Sequence, residues 1–92
     1  MRAIVRLSSA LVHCKLAPLR LELLNALEAG GDIELDAAPV AELDAAGAQL
    51  LYVFCADAQR LGRRVVWRGA PEVLPHTAAT LGMQALAQQT RP

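Results

Sequence analysis

The sequence predicts an α/β domain. Short stretches of alternating or β-branched residues are interleaved with stretches whose apolar residues recur at helical spacing, and Pro and Gly stand where the helices should begin and end. Ninety-two residues leave room for one core, so residues 1–92 read as a single domain. The expected order is β-β-α-β-α-β-α: an opening hairpin, then helical crossovers, giving a small mixed β-sheet with helices packed mainly on one face.

Residues 3–7 suit a first strand. Residues 11–16 alternate, with Val12, Cys14 and Leu16 on one side and His13 and Lys15 on the other, and Ser8-Ser9 between the two segments reads as a hairpin turn. "APLRLELLNALEAGG" changes period. Leu19, Leu23, Ala26 and Leu27 share a helical face, Pro18 suits the first turn and Gly30-Gly31 the end. "DIELDA" alternates again as a third strand, with Ile33 and Leu35 opposed to Glu34 and Asp36. Asp44 then stands as the N-cap of a second helix. Its core face is Gly47, Leu50, Leu51, Phe54, Cys55, Ala58 and Leu61, and it ends near Gly62. "RRVVW" is a fourth strand. Pro75 delays the third helix to Val73 or Leu74, and Gly82 stops it. "QALAQQTRP" reads as a tail in which Leu86 packs and the last residues fray.

Composition excludes several function classes. Nine basic and nine acidic residues balance, and one each of Trp, Tyr and Phe provide no platform for bases, which argues against nucleic acid. Arg6, Ser8, Ser9 and His13 interrupt the apolar content of the N-terminal segment, and no run is long enough to span a membrane; the expected location is cytoplasmic. Cys14 and Cys55 match no metal-ligand spacing and read as two buried core thiols.

No residue pattern supports catalysis. Glu42 and Asp36 lie near Asp44 in sequence, but no nucleophile, base or metal partner accompanies them. His13 and His76 have no second ligand at short spacing, so no metal is expected, and no cofactor. Ser8 and Ser9 lack a glycine elbow. Arg63, Arg64 and Arg68 read as a solvated strand edge. The unusual feature is the second helix, whose outer side carries Ala45, Ala48, Gln49, Tyr52, Val53 and Ala56 where Lys and Glu would be ordinary. Two readings of that strip stand: a protein interface, or a core that buries the helix more fully.

"DIELDAAPVAELDAAGAQLL" resembles the signature of STAS domains, the fold of bacterial anti-sigma-factor antagonists: a strand ending in Asp, a short loop, then Asp-Ser/Thr-Ser/Thr-Gly opening a Leu-rich helix. Asp36 matches the strand-end acid, Asp44 the motif acid and Gly47 the motif glycine. "AQRLGRRVVW", "APEVL" and "LGMQAL" resemble the family's later elements, so the likeness runs through essentially the whole chain. In regulated members the second hydroxyl residue after the Asp is phosphorylated by a partner kinase. Here Ala45 and Ala46 occupy the hydroxyl positions, with Ala46 at the phospho-site, and neither can accept phosphate. The resemblance therefore implies a non-enzymatic signalling domain without the usual switch. It would dock on an anti-sigma-factor-like, kinase-like or chemotaxis-type protein through Asp44, Ala45, Ala46, Gly47, Ala48, Gln49, Tyr52 and Val53. The alternatives are an accessory subunit docking on the ATPase of a phospholipid-transport complex, and a small-ligand domain holding a nucleotide or lipid near the Asp36–Asp44 loop.

Overall fold

In the computed structural model, which describes residues 2–90, the chain runs through β1 (Ala3–Arg6), β2 (Ala10–Leu11), a 3₁₀ turn (His13–Lys15), α1 (Ala17–Ala29) and β3 (Ile33–Asp36). It continues through β4 (Glu42–Leu43), α2 (Ala45–Arg60), β5 (Val65–Arg68), α3 (Val73–Thr80) and α4 (Gln84–Thr90). The strand β3 lies between β1 and β5 in one sheet, and β2 pairs with β4 in another. Every pairing is parallel, with Val5 opposite Leu35 and Leu35 opposite Trp67. The α/β class stands, with a parallel sheet instead of a mixed one.

The opening hairpin does not form. The chain leaves β1, where the Leu7 N–H donates to the Asp36 carbonyl, and crosses to the second sheet, where the Ser9 carbonyl accepts from Ala41 and Glu42. Ser8-Ser9 is thus a passage between sheets, not a turn returning β2 alongside β1. The second strand is also shorter than its alternation suggests. Asp44 takes the His13 N–H and the Val12 carbonyl takes the Lys15 N–H, which turns residues 13–15 into a 3₁₀ turn. Leu16 is buried, but Cys14 is exposed, against the expectation of a core thiol.

The helix α1 forms over the expected segment. Pro18 sits in its first turn, where a missing N–H costs nothing, and Gly30 takes a positive φ of 76° at its end. Pro75 is likewise tolerated because it falls in the first turn of α3. The fourth strand begins two residues later than expected and extends to Arg68. The supposed tail is a helix: in α4, Leu86, Ala87 and Thr90 are buried, and the Thr90 hydroxyl donates to the Leu86 carbonyl. The fraying expected at the very end falls on Arg91 and Pro92, which lie outside the described residues.

Helices cover one face of the larger sheet. Val5, Ile33 and Leu35 join Leu19, Leu23, Leu51, Phe54, Leu74 and Leu86 in one core cluster. On the opposite face Ile4 is 67% exposed. Glu34 lies on that face too, yet it is buried, because Arg2 at 3.1 Å and Arg68 at 3.0 and 3.2 Å close over its carboxylate. Arg68 is therefore an ion-pair partner and not part of a merely solvated edge. Its hydrogen bonds hold the Glu34 carboxyl below the usual range despite the opposing effect of desolvation.

The two thiols should react very differently. Burial pushes the Cys55 thiol up to about 12, and a thiol that is neither ionised nor accessible is inert. A soluble disulfide reagent at pH 8 should label one thiol of the native protein quickly and the second only on denaturation, and Cys14→Ser should remove the fast phase. Two slow thiols would mean that residues 13–15 pack as a strand after all.

Candidate functional site

The start of α2 is held by one carboxylate and one close backbone approach. Asp44 has extended backbone (ψ −179°) and caps the helix: Oδ1 accepts the Gly47 N–H at 2.8 Å. Its Oδ2 accepts the His13 N–H at 2.9 Å and lies 3.6 Å from the His13 ring Nδ1, an ion pair when the imidazole is protonated. The Asp44 N–H donates to the Leu11 carbonyl. These N–H donors, Gly47 first and His13 second, hold the Asp44 carboxyl below the usual range.

Gly47 is helical, so its role is spatial. A Cβ there would collide with the Leu11 carbonyl oxygen and come within 3.0 Å of Leu43 Cδ1. Glycine at this position lets α2 start directly against β2. Asp44 and Gly47 are thus structural in their contacts, whatever else approaches them.

The remaining predicted residues divide. Ala45, Gln49, Tyr52 and Val53 are exposed and Ala46 is half-buried, so these five form a surface. Ala48 does not belong to it: it is fully buried, because its position on α2 faces the core with Gly47 and Leu51. Conversely Leu61, placed on the core face, is exposed at the point where α2 ends. Asp36 and Asp44 do not act as a pair in their hydrogen bonding. Asp36 accepts the Ala38 N–H and lies 3.9 Å from the Arg6 guanidinium, while Asp44 is occupied by Gly47 and His13.

One feature escaped sequence reasoning. An apolar cleft of about 200 Å³ runs between α1 and α2, lined by Leu23, Leu24, Leu27, Leu50, Val53 and Phe54, with Arg20 and Asp57 also in its wall. A second cleft, of about 450 Å³, shares Arg20, Leu50 and Val53 and reaches His13, Leu16, Ala46 and Gln49. The two form one groove that opens at the start of α2. Leu24 is 50% and Val53 44% exposed along it, while Tyr52, 39% exposed, lines neither cleft. The available signal is Leu24, an apolar residue off the buried stripe of α1.

A family model described as "Mlab, STAS domain" matches residues 2–88. The chain belongs to the STAS domain family. No curated protein and no solved structure matches it at a significant level. The match takes in the strand-end Asp36, the helix-capping Asp44 and Gly47 of this STAS domain, with Ala45 and Ala46 between the latter two. No described helix is long and apolar enough to cross a membrane. Among the described residues no three His, Cys, Asp or Glu side chains cluster as a metal site.

Two substitutions test the geometry of this corner. Gly47→Ala must displace β2 or α2 and should destabilise by about 3 kcal/mol, the upper end of ordinary overpacking costs; chemical denaturation measures it. Asp44→Asn keeps a cap but removes the charge. A carboxyl with a depressed folded pKa contributes fully above its unfolded value near 3.8, and that contribution is lost as the pH falls through the lower folded value. Wild type and Asp44→Asn should therefore show parallel stability profiles above pH 5 and converge below about pH 4. Profiles that stay parallel into acid would mean that the charge of Asp44 stabilises nothing.

Proposed function

We propose that this STAS domain is a non-enzymatic docking module that binds a protein partner across the start of α2 and along the α1–α2 groove. The observation that carries this is the continuous apolar groove opening beside Ala46. Leu24, Leu50 and Val53 line it, and Arg20 and Asp57 supply polar groups in its wall, while Tyr52 is exposed elsewhere on α2. An apolar centre beside charged groups is how protein interfaces are built, and an aromatic ring with one polar tip is a frequent anchor. Domains of this family are generally binding modules rather than enzymes. Ala45 and Ala46 offer no hydroxyl, so binding in this reading is not switched by phosphate at the usual position.

The partner in the first reading is a bacterial cytoplasmic signalling protein of the anti-sigma-factor, kinase or chemotaxis type. A second reading, an accessory subunit seated on the ATPase of a phospholipid transporter, draws support from the same groove. Permanent interfaces are more apolar than transient ones, and a surface without a switch suits permanent assembly. The identity of the protein captured by the tagged domain separates the two readings.

The test uses that captured partner, purified and titrated against three variants. Val53→Glu places a charge in the groove at an exposed position, Tyr52→Ala removes the anchor, and Ala46→Asp adds an acid where the helix dipole tolerates one. Each should weaken binding by about 2 kcal/mol, roughly 30-fold, while circular dichroism shows the wild-type fold. Three folded variants that bind like wild type would place the interface elsewhere.

A further inference from the structure

The strand β5 ends the larger sheet, and its outer edge is open. It pairs with β3 on one side, and among the described residues no strand lies on the other. The Arg64 and Arg68 carbonyls accept from Ile33 and Ala37, so the even-numbered residues direct their backbone groups inward to β3. By the alternation of a strand, the N–H and C=O groups of Val65 and Trp67 point outward along the edge. Such an edge is a template for another strand.

Three further observations sit on this edge. A cleft of about 510 Å³ lies against Trp67, and another of about 440 Å³ against Gln59 and Arg63. Arg64, Val65 and Gln89 line both, which makes them one trough following β5. Among the described residues no acidic side chain lines either cleft, whereas Arg63 and Arg64 do. Arg63 already donates to the Leu27 and Leu61 carbonyls. Arg64 is exposed and makes no ion pair among the described residues. Finally, the Trp67 indole Nε1 is buried with no hydrogen-bond partner among the described residues. Buried donors are almost always satisfied, so an orphaned one on a residue that lines the trough is short of an acceptor.

We propose that the β5 edge is a second binding surface, distinct from the α1–α2 groove, which receives an extended acidic segment of a partner protein as an added strand. Main-chain hydrogen bonds to Val65 and Trp67 hold the segment, as in other strand-addition complexes. A carboxylate of the segment pairs with Arg64, and a separate acceptor of the segment, on the helix side of the sheet where Trp67 lies opposite Leu35, takes the Trp67 indole N–H. A second copy of this chain is the disfavoured occupant: antiparallel pairing of two β5 strands about their centre sets Arg64 of each copy against Arg68 of the other, and like charges across a ladder repel.

The single tryptophan makes the test direct, because its indole gives one resolved proton resonance. The ¹⁵N-labelled full chain is titrated with an acetylated, amidated heptapeptide of alternating Glu and Val, and with its Lys–Val counterpart. The acidic peptide should shift the Trp67 indole signal downfield and slow amide exchange at Val65 and Trp67, while the Lys–Val peptide does neither. Arg64→Glu should weaken the acidic peptide at least tenfold and admit the basic one. Trp67→Phe, which keeps the ring and loses the N–H, should weaken it severalfold. Three results would overturn the proposal: no change at Val65 or Trp67 at millimolar acidic peptide, changes centred on Val53 and Leu24 instead, or equal binding of both peptides. Sedimentation showing a dimer through β5 without peptide would assign the edge to a second copy and overturn it as well.

Discussion

Asp44 accepts from Gly47 with one oxygen and from His13 with the other, and the Leu11 carbonyl occupies the space that any side chain at Gly47 would need. Much of the candidate site depends on this corner. The strands β2 and β4 pair over only two residues each, too little to hold a position alone. It is the Asp44 carboxylate that joins the segment before α1 to the start of α2, and Gly47 that lets them approach. The His13–Lys15 turn leads directly into α1, so the same corner sets where α1 begins relative to α2. The walls of the groove follow: His13, Leu16 and Arg20 from the first segment, Ala46, Leu50 and Val53 from the second.

Elements with a strong period and clear punctuation were legible in the sequence. The helix α1 had Pro18 and Gly30, α2 had Asp44 and Gly62, and β3 had its alternation. What failed was long-range choice. Whether Ser8-Ser9 returns the chain as a hairpin or carries it to another sheet depends on the partners at Asp36 and Ala41, thirty residues away in order of magnitude. Position in the chain also misleads: a segment so near the end reads as a tail, although Gln, Ala and Leu are good helix formers and Leu86 has an apolar partner surface to join.

The site shows the same division. The Asp44 cap is a local rule and could be read from residue type alone. The need for glycine at Gly47 arises from a carbonyl on another strand, which no local pattern reveals. Ala48 was misplaced because α2 is apolar over most of its circumference, so periodicity could not separate its buried side from its exposed one. Helical spacing puts Leu50 on the core face, but it lies between α1 and α2 and is only half-buried. A groove between two helices is a property of their spacing, and spacing is not written in either helix.

A small domain that leaves Leu24, Leu50 and Val53 in contact with water gives up part of the burial that a chain of this length needs. In the proposed reading the partner supplies it. A partner that covers the groove binds the folded chain and not the unfolded one, so its binding free energy adds to the stability of the fold. The alanines fit the same logic. A phosphorylated hydroxyl at Ala46 would set two negative charges at the mouth of an apolar cleft, and a surface that completes a marginal core gains nothing from a group able to expel its cover. Under that reading the loss of the hydroxyl and the apolar groove are one adaptation: the corner built on Asp44 and Gly47 keeps the two helices apart at a fixed spacing, and alanine keeps the opening between them uncharged.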